Sequence, residues 1–143
     1  MQVKNKFNMT LLSRSSNESF ARACVSAFAA QLDPTIEEIN DIKTAVSEAV
    51  TNAIVHGYPD SVGDIEMTAE IIDSVLHIKI KDTGVGIENL EKALEPFYTT
   101  KLEDERSGMG FTIMKTFMDD VVVKSSLNQG TVVSMTKRLS LGQ

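Results

Sequence analysis

At 143 residues, 42% of them apolar, the chain has the length of one ordinary domain and enough apolar content to close a single core, so one domain spanning 1–143 is expected. Twenty acidic side chains against 14 basic ones give a net charge of −6, which argues against direct nucleic-acid binding, because that needs a basic face to displace counterions. The single cysteine, Cys24, excludes an internal disulfide and a cysteine-based zinc cluster, and no apolar run approaches the roughly 18 residues of a membrane span or forms a signal peptide, so a cytoplasmic protein is expected.

In chain order, Phe7, Met9 and Leu11 alternate with polar residues and predict a first strand. Ser15 and Glu18 have capping-box spacing ahead of Phe20, Cys24, Ala27, Phe28 and Leu32, which predicts a first helix with those side chains inward and Cys24 as a small core residue. A second helix is expected to open near Asp33-Pro34-Thr35, with Pro34 in its first position. It should carry Ile36, Ile39, Ile42, Val46, Ala49, Val50, Ala53 and Ile54 on one side and stop at Gly57. Alternation over Ile65–Ile71 and Leu76–Ile80, broken by Asp73-Ser74, predicts a hairpin. A short helical piece near Leu90–Leu94, a polar stretch from Tyr98 to Ser107, and a helix with Phe111, Met114, Phe117 and Met118 inward come next. A closing hairpin turns at Asn128-Gln129-Gly130. Helices covering one face of a mixed, mostly antiparallel sheet make an α+β two-layer sandwich.

Three segments stand out chemically. Glu48, Asn52 and His56 recur every four residues and, at about 100° per residue, form one stripe bordering the apolar side of the second helix. A carboxylate one turn from a carboxamide pairs a base with a neutral oxygen ligand, which suits a Mg²⁺ ion that keeps much of its water and takes phosphate ligands; a solvated helix edge would show the same residues. Asp82 stands before Gly84 and Gly86 at the end of a strand. The glycines allow close approach of a ligand to the backbone and the acid can accept a hydrogen bond from an exocyclic amino group, although a turn after a strand often has this form. Gly108 and Gly110 open a helix whose free N–H groups favour an anion, with Thr99, Thr100, Lys101 and Arg106 just upstream; the acidic residues there fit equally an ordinary loop. No Walker A sequence is present.

The order SEAVTNAIVHGY, DTGVGI, TTK…ERSGMGF resembles the GHKL (Bergerat) nucleotide-binding superfamily of topoisomerase ATPase domains, mismatch-repair ATPases and histidine-kinase catalytic domains, over about Ile36 to Leu139. The resemblance implies ATP and Mg²⁺ as cofactors, Asn52 as the Mg²⁺ ligand, Glu48 as general base and Asp82 on the adenine amino group. It implies Gly84 and Gly86 shaping the base pocket, and Thr131 supporting the adenine contact. Lys101 and Arg106 would act on the phosphates with the segment Ser107, Gly108, Met109 and Gly110. Within the superfamily, His56 and His77 lack the setting of a phosphoacceptor, and a chain read as ending at Gln143 has no further coupled domain. SSNESFARACVSAFAAQLDPT, DIKTAVSEAVTNAIVHGY and ERSGMGFTIMKTFMDD are similar to the anti-sigma-F family of spore-forming bacilli, with the general-stress anti-sigma kinases as the alternative. This implies a homodimer that sequesters sigma factor F and phosphorylates an anti-anti-sigma protein on serine. Arg14 and Arg22, flanking the first helix, would meet those partners; Arg22 is also at i+4 from Glu18, the spacing of a local ion pair.

Overall fold

Alternating apolar side chains give five strands: β1 (Val3–Leu12), β2 (Asp64–Ile72), β3 (Val75–Asp82), β4 (Asp120–Ser126) and β5 (Gly130–Arg138). They form one sheet in the order β1-β2-β3-β5-β4, and every ladder is antiparallel, the limiting case of the mostly antiparallel sheet expected. The computed structural model describes residues 3–94 and 110–139.

Period-two patterning decides which face is covered. Ile65, Met67, Ala69 and Ile71 of β2 are buried, as are Leu76, Ile78 and Ile80 of β3 and Val133 and Met135 of β5. Between them stand the more exposed Glu66, Lys79, Lys81 and Ser134. The buried face packs against α1 (Ser16–Ala29), α2 (Ile36–Asn52) and α4 (Gly110–Phe117); a short α3 (Leu90–Ala93) follows β3. Each large aliphatic side chain so removed from water contributes about 1.5–3 kcal/mol before conformational entropy is counted. Among the described residues no helix is long and apolar enough to cross a membrane.

The helices depart from expectation at their ends and faces. Ser15 makes no side-chain cap and is itself helical in backbone angle; Glu18 turns instead to Ser47 of α2, whose hydroxyl donates to it at 2.7 Å. The capping box forms one helix later. Thr35 Oγ1 accepts from the Glu38 N–H at 3.1 Å, and Glu38 accepts from the Thr35 N–H at 2.9 Å. Pro34 therefore precedes the N-cap and does not occupy the first helical position. In α1 the inward stripe is Ala21, Val25, Phe28 and Ala29. Phe20 is 51% exposed and Ala27 is exposed, because small residues let α1 lie close to the core while the bulkier ring stays outside. Ile36, at the first turn of α2, is likewise exposed, whereas Ile42, Val46, Ala49 and Val50 are buried. Cys24 is half-buried against the core.

α2 ends as foreseen at Gly57, but through a π-helical turn over Ala53–Gly57, closed by the Tyr58 N–H donating to the Ala53 carbonyl at 3.2 Å. This wide turn delivers the end of the helix to the edge of the cavity described next.

Candidate nucleotide site

A cavity of about 630 Å³ opens where the end of α2, the loop after β3 and the β4–β5 turn converge. Its walls include Asn52, Ala53 and His56 from α2 and the π turn, Asp82, Val85, Gly86 and Ile87 from the β3 end and loop, Phe111 from α4, and Leu127, Thr131 and Val133 from the closing hairpin. Its size falls within the range of small-molecule and cofactor sites, mostly apolar with a few convergent polar groups.

Asp82 is the polar centre. It is the last residue of β3 and only 6% exposed, held opposite Thr131 by the β3–β5 ladder. Burial pushes its carboxyl above the ordinary value of 3.8, while the backbone N–H groups of Gly84 and Thr131 pull part of the way back. One oxygen accepts the Gly84 N–H at 3.0 Å. Two backbone donors are fewer than a carboxylate can accept, so acceptor capacity remains for a ligand N–H.

The loop after Asp82 is locked to the π turn. The Val85 N–H donates to the Gly57 carbonyl at 2.9 Å, and a Cβ on Gly84 would overlap that same carbonyl, so only glycine fits. Gly86 adopts a φ of 75°, in the left-handed region that glycine enters without strain. The Asn128 N–H donates to the Val85 carbonyl at 2.6 Å, which fastens the β4–β5 turn to the opposite side.

Sequence reasoning missed two supports. Tyr58, buried directly after the π turn, accepts the Thr83 N–H at 2.8 Å and donates to the Asp64 carbonyl at 2.6 Å, bracing the backbone next to Asp82. Ser125 accepts the Ile87 N–H at 2.8 Å and donates to the Gly130 carbonyl at 3.0 Å. Its single proton is thereby used, so the 2.8 Å contact between the Ser125 and Thr131 hydroxyls is donated by Thr131, whose oxygen keeps a lone pair for the cavity. Neither carried a local signal: Tyr58 follows a helix-ending glycine and Ser125 lies in an ordinary strand.

Of the predicted residues, Asn52, Asp82, Gly86 and Thr131 line the cavity together. Gly84 shapes the loop from behind. Glu48 does not line the cavity: it lies one turn back along α2, buried at 6% exposure. Gly110 rests on Asn52, where an added Cβ would stand 3.1 Å and 3.2 Å from the carboxamide nitrogen and oxygen. Thr99, Thr100, Lys101, Arg106, Ser107, Gly108 and Met109 lie outside the described residues. Arg14 is exposed in the β1–α1 turn, and Arg22 makes the ion pair that its spacing suggested, 3.6 Å from Glu18. Among the described residues no three His, Cys, Asp or Glu side chains gather into a metal-binding group. The donors present, a carboxamide oxygen beside glycine and a carboxylate one turn away, fit an ion such as Mg²⁺ that draws most ligands from water and phosphate.

Residues 13–137 match the family model of the histidine kinase-like ATPase domain. Over 137 residues, 96% of each chain, the sequence is 58% identical to the anti-sigma F factor of Caldanaerobacter subterraneus subsp. tengcongensis. The chain belongs to the anti-sigma F factor family. Two solved structures agree on the fold. The RsbU and RsbW domains of a Mycobacterium tuberculosis protein match with a TM-score of 0.69 at 22% identity, covering 95% of this chain and 33% of that one. The catalytic domain of the histidine kinase ThkA matches with a TM-score of 0.58 at 16% identity, covering 97% of each. Membership of an ATPase-domain family implies that the chain binds ATP.

Proposed function

We propose that the chain sequesters a sigma factor of the F type and, as an ATP-dependent serine kinase, phosphorylates and inactivates the anti-anti-sigma protein that competes for it. The single observation that carries the nucleotide half is Asp82, a buried carboxylate at the wall of a ligand-sized cavity with acceptor capacity to spare. The near full-length likeness to anti-sigma F factors carries the partner half. The protein works as a cytoplasmic homodimer.

In this reading Asp82 accepts the adenine amino group, with the Thr131 oxygen beside it, and Gly84 and Gly86 let the base approach the backbone. Asn52 holds Mg²⁺, which when bound offsets charge on the phosphates during transfer. Glu48 takes the proton of the incoming serine hydroxyl as the oxygen–phosphorus bond forms and ADP leaves. Lys101 and Arg106, with Thr99, Thr100, Ser107, Gly108, Met109 and Gly110, act on the phosphates. Arg14 and Arg22 face acidic groups of the partners, and the Glu18 and Ser47 contacts hold the Arg22 guanidinium in place for them.

The test is incubation of the purified chain with Mg·ATP, the anti-anti-sigma protein and sigma factor F. Phosphoserine should appear on the first, and the second should be recovered in complex with the chain. Release of inorganic phosphate with neither phosphoserine nor complex would reduce the protein to a simple ATPase, and capture of a general-stress sigma factor in place of F would move it to that branch.

A further inference from the structure

Strand β5 breaks its own pattern. Val133 and Met135 face the helices and are buried, and the next residue on that face is Lys137, a cation where an aliphatic side chain would be ordinary. Its side chain is 12% exposed, and such a charge is tolerated only when paired and hydrogen-bonded. The Lys137 Nζ donates to the Phe117 carbonyl at 2.7 Å and stands 3.5 Å from an Asp41 carboxylate oxygen. One lysine thus joins the sheet, the first half of α2 and the last residue of α4. Two bonds at Asp119 reinforce the junction: its N–H donates to the Thr136 carbonyl at 2.9 Å, and its carboxylate accepts the Arg138 N–H at 2.6 Å.

The placement has a chemical logic. The last carbonyls of a helix lack intrahelical partners and carry partial negative charge, which an ammonium group satisfies directly. The other end of α4 is Gly110, which rests on the Asn52 carboxamide, and the helix of eight residues is a single short rod with Phe111 and Met114 buried against the core. A short helix pinned at its C-terminus has its N-terminus positioned as well. Through the same lysine α4 is tied to Asp41, in the first half of the helix that carries Glu48 and Asn52.

We infer that Lys137, with Asp41, is a positioning residue for the nucleotide site, setting α4 against Asn52 from the far end of the helix. The inference rests on the nucleotide reading of the cavity. Lys137→Met, of similar length and without charge, should weaken ATP binding roughly tenfold, about the effect of losing one hydrogen bond to a charged group, and raise KM for ATP alike, with kcat at saturating ATP within about twofold. Lys137→Arg should restore binding. Asp41→Asn, which leaves the Phe117 bond in place, should weaken it by roughly threefold, and it carries the test if the methionine variant does not fold. The measurements are titration calorimetry with ATP and initial-rate kinetics on the folded proteins well below their melting temperatures. Wild-type ATP affinity in both Lys137→Met and Asp41→Asn, beside a wild-type chain that binds ATP, overturns the inference alone. A wild-type chain that binds no ATP overturns the reading beneath it.

Discussion

Asp82 and Glu48 are buried to the same extent, 6% exposed, in two regions of the molecule that are built in opposite ways. Asp82 stands at a strand end, wrapped by backbone: Gly84 and Thr131 donate to it, Tyr58 braces the next peptide, and the loop beyond is bolted to Gly57 and Asn128. Glu48 stands in mid-helix between buried Ala45, Val46, Ala49 and Val50, where the backbone has no donors to spare. The contrast teaches that one buried carboxylate is fixed by the main chain and the other by its helix, and under the proposed function the first recognises the base and the second meets the reacting hydroxyl. Substitutions at the first should therefore move binding, and those at the second should move turnover.

Glu48→Gln is the sharpest separation. Serine phosphorylation should fall by about 10²-fold or more, the usual worth of a positioned base, while ATP affinity by calorimetry stays within about twofold. Normal phosphorylation by this variant would remove Glu48 from the chemistry. Gly84→Ala attacks the other region by its frame. The new methyl collides with the Gly57 carbonyl, and such overpacking costs about 1–3 kcal/mol, to be read as a lower melting temperature together with lost ATP binding.

Asp82→Asn should weaken ATP by about 1–3 kcal/mol, the cost of stranding a ligand donor. The same change should raise the melting temperature of the nucleotide-free protein at neutral pH. Burial raises the folded carboxyl above 3.8, so its stabilising share is complete below that value and is lost as pH rises through the folded one, leaving a buried charge. ATP affinity should correspondingly fall as pH is lowered through the raised value, and the asparagine variant should lack that step; identical profiles for both would sever Asp82 from the base contact. Smallest of all, Thr35→Ala should cost about 1 kcal/mol in a denaturant melt by removing the α2 cap, with turnover unchanged.

What could be read from the chain alone follows the same division. Both hairpins, the stop at Gly57 and the Asp82 loop were legible because alternation, glycine and a strand-ending acid are local signals. The buried face of α1 was not: the predicted stripe through Phe20 and Ala27 is rotated from the one through Ala21, Val25 and Ala29, and only contact with α2 chooses between them. Ser15 with Glu18 and Thr35 with Glu38 have the same spacing, yet only the second pair caps a helix, because Ser47 claims Glu18 from 29 residues away. The supports at Tyr58 and Ser125 are partnerships across sheet and turn, which no short window contains.

The π turn at Ala53–Gly57 has a last consequence, for how the chain can vary in length. Such a turn holds one residue more than an α-helical turn, and one residue is worth about 100° of rotation. Deleting any one residue between Ala53 and His56 would restore an ordinary helix and swing the Gly57 carbonyl away from the Val85 N–H that it now accepts. A surface loop absorbs such a deletion; here the count of residues is itself a specification, as strict as the identity of any side chain in the cavity.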